Sequence, residues 1–152
     1  MEHALMPSVV SNVQDEMMKG KVRVVVVTPE KAVLDTIVDF VVVPMFDGEL
    51  GVLHGRAPLI GRLGAGELRL KNGTAVDRWF VEAGFVQVRA NVVTVLTAHA
   101  RKATDVTTDM ATKAAADAEA LPVGNVAERA NKAKARDLAA GMKRVAARNS
   151  VA

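Results

Sequence analysis

The chain has 152 residues, 50% of them apolar and only 3% aromatic, with a formal net charge of +3 and no cysteine. That length makes one ordinary domain, or one domain with an appendage, and the apolar half is enough for a buried core. Without Cys there are no disulfide staples, thiolate zinc sites, iron–sulfur clusters or thiol nucleophiles. The few aromatics also disfavour a protein that stacks single-stranded bases.

Taken from the start, residues 1–20 have mixed polarity, one proline at Pro7 and no sustained period. Glu2, Asp15 and Glu16 argue against a transit peptide, and no apolar centre of a secretory signal is present. The segment reads as a flexible N-terminal extension, with a short helix docked on a partner as the alternative.

From Lys21 the sequence turns to strand signals. Residues 21–97 hold 18 valines and all five aromatics. Lys21–Val27 is β-branched and ends in the turn Thr28-Pro29-Glu30-Lys31; Val33–Val38 and Asp39–Val43 follow, the latter closed by Pro44. Met45–Gly51, with two glycines, reads as an exposed loop. Gly66–Lys71 alternates, with Leu68 and Leu70 opposed to Glu67, Arg69 and Lys71, and Asn72-Gly73 is the signal for a type I′ hairpin. Ala75–Glu82, Phe85–Arg89 and Val92–Thr97 complete the set, divided at Gly84 and Ala90-Asn91. No helix-length crossover separates these runs. An antiparallel β-sandwich of about eight to ten strands is therefore expected over 21–100.

Near residue 100 the composition breaks. Residues 101–152 contain no aromatic, and 16 of the 52 are alanine. Alanine loses no side-chain entropy in a helix. A two-helix hairpin is expected, with helices at about 105–121 and 126–148 broken by Pro122 and Gly124-Asn125. Thr104 or Asp105 would cap the first helix. Val106, Met110, Ala114, Ala118 and Leu121 share one stripe of it. In the second, Ala135, Leu138, Ala139, Met142, Val145 and Ala146 share a face, while Arg129, Lys132, Arg136 and Lys143 share another. From Val126 on there are seven basic and two acidic residues, so the mild net charge is concentrated at one end. A stripe made mostly of alanine buries little area per turn, and such a hairpin should dock weakly on the β-domain.

Nothing in this chain resembles an active site. The glycines around Asp47–Gly55 are followed by no Gly-Lys-Ser/Thr and open no helix. His3, His54 and His99 lie too far apart to pair as metal ligands, Ser8, Ser11 and Ser150 sit outside any nucleophile elbow, and the carboxylates are scattered. The basic face of the second helix has three readings: a solvated surface, a contact to an acidic protein, or a contact to nucleic acid. No DNA-reading motif accompanies it.

The order of several motifs resembles one family, the epsilon subunit of bacterial F-type ATP synthase (delta in mitochondria). They are Val27-Thr28-Pro29-Glu30, Pro44, the run Asp47-Gly48-Glu49-Leu50-Gly51-Val52-Leu53, and Gly55-Arg56-Ala57-Pro58-Leu59-Ile60 with Leu63. Gly66-Glu67-Leu68-Arg69, Ala83-Gly84-Phe85-Val86-Gln87-Val88 and Val93-Thr94-Val95-Leu96 follow. The match is strong to Ala100 and weak beyond it.

The resemblance implies a non-catalytic rotor subunit of the central stalk, without cofactor or metal. It would couple rotation of the c ring and the gamma subunit to ATP synthesis in the catalytic head. It implies an assembled position on the cytoplasmic face of the bacterial inner membrane, reached only through the complex, and no nucleic-acid partner. Residue by residue, Asp47 and Glu49 would face the c ring, and Arg56 and Pro58 the gamma subunit. Arg129, Lys132, Arg136 and Lys143 would face an acidic part of the beta subunit when the hairpin extends to restrain ATP hydrolysis.

Three departures stand out. His54-Gly55-Arg56 replaces the family's usual Pro-Gly-His, and residues 1–20 have no counterpart. The nucleotide motif that some members carry on the first helix, Ile/Leu-Asp-x-x-Arg-Ala-x-x-Ala-x-x-Arg-Ala, falls on Val106-Thr107, Met110-Ala111, Ala114 and Asp117-Ala118. Its Asp becomes Thr107, and its two Arg become Met110 and Asp117. The phosphate-holding charges are gone, which implies that ATP is not bound in that way. The rival readings are a free-standing β-sandwich module whose basic helix docks an acidic protein or nucleic acid, and a small β-barrel enzyme.

Overall fold

The computed structural model describes residues 18–151; most of the expected N-terminal extension, residues 1–17, lies outside them. Ten strands come first: β1 (Val22–Val27), β2 (Ala32–Val38), β3 (Phe40–Met45), β4 (Gly48–Val52), β5 (Leu59–Leu63), β6 (Gly66–Asn72), β7 (Ala75–Val81), β8 (Gly84–Arg89), β9 (Val92–Thr97) and β10 (Ala100–Lys102). A 3-10 turn at Ala103–Asp105 leads into helices α1 (Thr108–Glu119) and α2 (Val126–Val151).

The strands form two layers joined at β3. One layer runs β10-β7-β6-β3-β4 and the other β5-β8-β9-β1-β2, with Met45 of β3 paired to Leu63 of β5 at the corner. Every second residue of β1 (Val22, Val24, Val26) points into the space between the layers and is fully buried, while Arg23 between them is exposed. Val41, Val43, Val52, Leu63, Leu68, Val81, Val86, Val88, Val93 and Val95 fill the same core. This is how period-two alternation builds a sandwich: one face of each strand is removed from water. Eight of the nine pairings are antiparallel, but β1 and β9 run parallel, against the all-antiparallel expectation.

Four local readings are corrected. Met45–Gly51 is no loop: β3 extends to Met45, only Phe46 and Asp47 turn, and β4 pairs back so that Glu49 lies opposite Pro44. Only Leu50 and Val52 of β4 face the core, and Gly48 and Gly51 beside them hide that short alternation behind a turn signal. Pro44 lies inside β3 and does not terminate it. The unpaired position is tolerated because β3 passes there from its partner β6 (up to Val42) to its partner β5 (from Met45).

The β6–β7 turn is made by Gly73-Thr74, since Asn72 still pairs with Ala75. Only Gly73 has positive φ (63°), and its N–H donates to Asp39 Oδ2 at 2.7 Å. That pattern belongs to a type II′ turn and not to I′. Two successive positive φ values occur at Ala90 (50°) and Asn91 (64°), in the two-residue turn between β8 and β9. Finally, the first helix is capped neither by Thr104 nor by Asp105, which the 3-10 turn uses; Thr107 Oγ1 accepts the Met110 N–H at 3.2 Å.

The hairpin is folded down on the first layer. Phe80 of β7 points away from the sandwich core and joins a second cluster with Ala103, Val106, Ala111, Met142, Val145 and Ala146. Close approach of α2 needs Gly141: a Cβ there would lie 2.5 Å from the Ala65 carbonyl oxygen. The apolar part of the seal is thin, and polar bonds complete it. Asn149 Nδ2 donates to the carbonyls of Ala103 (2.6 Å) and Val106 (3.1 Å), and Asn149 Oδ1 accepts from Arg78 at 2.5 Å.

Candidate functional site

The two faces of the sandwich are treated differently. The first layer is covered by α2. The outer face of β5, β8, β9 and β1 is left bare by the described residues. Strand register sets one row of side chains across it, Arg62–Phe85–Leu96–Val27, and a second, Ile60–Gln87–Thr94–Val25. Ile60 is 78% exposed, Phe85 55% and Leu96 48%. Phe46 extends the first row, because the Arg62 guanidinium lies 5.3 Å from its ring centroid. Scattered exposed apolar residues mean little, but a contiguous row on one sheet face marks a protein contact.

Arg56 and Pro58 are exposed in the connection between β4 and β5. That connection is tied down by the β8–β9 turn: Asn91 Oδ1 accepts the Gly55 N–H at 2.7 Å, and Asn91 Nδ2 lies 3.2 Å from His54 Nε2. Gly55 has φ 86°, which a side chain would oppose. His54, which departs from the family pattern, thus helps to hold the segment that carries Arg56.

The tip between β3 and β4 carries Asp47 and Glu49. Both are exposed, and Glu49 Oε2 pairs with Arg69 Nη1 at 2.9 Å. Behind it lies Glu67, with a side chain only 5% exposed and three arginines around it. Arg148 Nη1 donates to its Oε1 at 2.7 Å, Arg69 Nη1 lies 3.7 Å from that oxygen, and Arg78 Nη1 lies 3.5 Å from Oε2. Glu67 is the residue that sequence reasoning missed. Its alternation with Leu68 placed it on the outer face of β6, and that face is solvent-exposed only if α2 does not cover it.

The basic face of α2 divides in two. Lys132 Nζ donates to the carbonyls of Glu119 (3.0 Å) and Leu121 (3.2 Å), placing a positive charge at the C-terminal end of α1. Arg136 bonds Glu119 through both carboxylate oxygens, at 2.8 and 3.1 Å, and this hydrogen-bonded pairing holds the Glu119 carboxyl below the usual glutamate range. These two cations brace the hairpin internally. Arg129 and Lys143 are exposed and make no ion pair among the described residues.

Between α1 and α2 runs a groove of about 560 Å³, lined by Ala111, Ala115, Ala118, Ala139, Ala140 and neighbouring side chains. Its charged lining is Glu119, Arg136 and Lys143. Asp117, at a position where the nucleotide motif has Arg, is instead paired with Lys113 at 3.0 Å. No group of His, Cys, Asp or Glu able to hold a metal ion occurs among the described residues, and no described helix is long and apolar enough to cross a membrane.

A β-sandwich with a helical hairpin folded on one face and an apolar row on the other defines a docking protein. Its family is given by comparison. Residues 21–103, more than half of the chain, match the model of the ATP synthase delta/epsilon chain, beta-sandwich domain. The ATP synthase epsilon chain of Rhodopirellula baltica is 54% identical over 101 residues, which span 66% of this chain and 79% of that one. That of Granulibacter bethesdensis is 45% identical over 96 residues, 62% of this chain and 71% of the other.

Among solved structures, a chain of the Euglena gracilis mitochondrial ATP synthase superposes with a TM-score of 0.71 at 21% identity, covering 84% of this chain and 82% of its own. A chain of the Tetrahymena thermophila mitochondrial ATP synthase central stalk and c-ring gives 0.67 at 15% identity, covering 84% and 98%. The chain belongs to the ATP synthase delta/epsilon chain family, and as an epsilon-type chain it is a non-catalytic subunit of that complex.

Proposed function

We propose that this chain docks in the central stalk, with the bare face of β5, β8, β9 and β1 against the gamma subunit and the β3–β4 tip toward the ring of c subunits. It thereby transmits rotation to ATP synthesis in the catalytic head. The observation that carries this reading is the row Phe46–Arg62–Phe85–Leu96, an exposed apolar band opposite the face that the hairpin occupies. Arg56 and Pro58 are exposed in the connection that leads into β5, one strand of this face, where they would meet the same partner. Asp47 and Glu49 stand at a wet tip, where carboxylates add specificity toward basic or amide groups more than they add affinity. In the complex the chain would be peripheral, on the cytoplasmic face of a bacterial inner membrane.

Ile60→Asp combined with Phe85→Asp tests the docking face. Both side chains point to solvent, so the sandwich should fold and melt as before. Co-purification with gamma and the catalytic head should fall at least about tenfold, since two desolvated aspartates at a protein contact cost several kcal/mol. Undiminished co-purification would place gamma elsewhere, and a chain that never associates with the head would favour the free-standing binding module.

The hairpin is proposed to restrain ATP hydrolysis when it leaves the sandwich. Lys132 and Arg136 brace the hairpin itself, so the cations offered to an acidic partner segment are first of all Arg129 and Lys143. Reversing both to Glu should raise ATP hydrolysis by the assembled head. An unchanged rate would remove the inhibitory role.

A further inference from the structure

The β3–β4 tip and the far end of α2 meet in one charged network. Glu49 Oε2 holds Arg69 Nη1 at 2.9 Å; the same nitrogen lies 3.7 Å from Glu67 Oε1; and that oxygen accepts from Arg148 Nη1 at 2.7 Å. Two arginines, one from the sandwich and one from the hairpin, thus converge on a single buried carboxylate oxygen. Arg78 lies 3.5 Å from the other oxygen, Oε2, which makes no hydrogen bond. Three guanidinium groups face two carboxylates, so the charge on Arg69 is balanced only while Glu49 stays with it.

The hairpin has the means to respond. Among the described residues the hairpin meets the sandwich through one small cluster, Phe80 with Ala111, Met142, Val145 and Ala146, and through Gly141, Arg144, Arg148 and Asn149. The core between the two layers is a separate cluster from the one under the hairpin. Docked and released hairpins are therefore two states of one unit resting on an otherwise complete sandwich.

We propose that this network couples the tip to the hairpin: a cationic partner group that draws Glu49 from Arg69 weakens the hold of Glu67 on Arg148, and favours release of α2. With Glu49 taken away, Arg69 has only Glu67 to turn to. There it competes with Arg148 for Oε1, an oxygen of a side chain only 5% exposed, and repels it, while Arg148, 52% exposed, has water to turn to. Reciprocity follows from linkage. A docked α2 occupies Glu67 and leaves Arg69 to Glu49, so the tip offers its carboxylate less freely to a partner. This deepens the proposal that the tip faces the c ring, and it gives that contact a consequence at the hairpin.

The isolated full-length chain provides the test, with no ring needed. Because the natural sequence has no cysteine, Val145→Cys introduces a single thiol at a site 2% exposed under the docked hairpin. Its rate of labelling by a thiol reagent reads the released fraction. In this background Glu49→Gln should speed labelling about two- to fivefold, the range of a partly exposed ion pair. The increase should vanish when Arg69→Gln is also present, because the relay is then broken.

Glu49→Ala should repeat the result, and circular dichroism should report an intact sandwich in each variant. No change with Glu49→Gln, or an equal increase with and without Arg69, overturns the coupling. Neither result depends on whether the tip meets the c ring. That is read separately from assembly of Glu49 variants with the ring.

Discussion

Phe80→Ala is expected to destabilise the chain by about 3–5 kcal/mol, the usual cost of deleting a buried phenylalanine ring, and to do so chiefly by freeing the hairpin. The ring is 1% exposed and lies on the outer side of β7, against Ala103, Val106, Ala111, Met142, Val145 and Ala146. Half of those neighbours are alanines, too short to reach into the space it leaves. Val81, the next residue, faces the opposite way into the sandwich core. The loss should therefore appear as two separated transitions, an early one for hairpin release and a later one near the parent's melting point for the sandwich. Urea denaturation followed at Trp79 and by total helicity distinguishes them. A single transition shifted for both probes would mean that sandwich and hairpin are one cooperative unit.

The second large effect is expected at Gly84, where β8 begins. A methyl group there would overlap the Leu96 carbonyl oxygen and lie 2.9 Å from the Leu96 carbonyl carbon and 3.0 Å from the Thr97 Cα. These are backbone atoms of β9, and β9 is held on both sides, by β8 and by the parallel strand β1. It cannot retreat without breaking a ladder. Gly84→Ala should cost about 1–3 kcal/mol or more from overpacking and lower the melting temperature by several degrees. It should also disturb the row Phe85–Leu96 and weaken association with gamma. A variant that melts with the parent would show that β8 and β9 yield more easily than their double pairing suggests.

Much of the sandwich was legible because its signals are local. Leu68 and Leu70 of β6 and Val86 and Val88 of β8 mark one buried face by alternation, and the β-branched run of β1 marks a strand by composition. The break in composition near residue 100 similarly marked where helix takes over. Turn chemistry was read less well. Asn72-Gly73 had the right residues for one turn, but the bond from Gly73 to Asp39, 34 positions away, draws the turn one residue along. β4 escaped notice because only Leu50 and Val52 mark its inward face, and Gly48, Glu49 and Gly51 around them read as a loop.

The candidate site followed the same division. Arg129, Lys132, Arg136 and Lys143 share a helix face by spacing, and spacing alone cannot tell a cation that meets water from one that meets Glu119. The bare row Phe46–Arg62–Phe85–Leu96 joins the β3–β4 turn to strands β5, β8 and β9. It emerges only once the pairing register is known.

By itself, the order of residues determined a valine-built sandwich, an alanine-rich hairpin and a basic end, since each of these depends on composition and short-range periodicity. Tertiary structure alone decided which sheet face is covered. Alternation put Glu67 on the outer side of β6, but only the packing of α2 over that side turned a surface carboxylate into a buried one shared by three arginines. Burial and pairing across distant segments depend on where a second element comes to rest, and no local pattern encodes that.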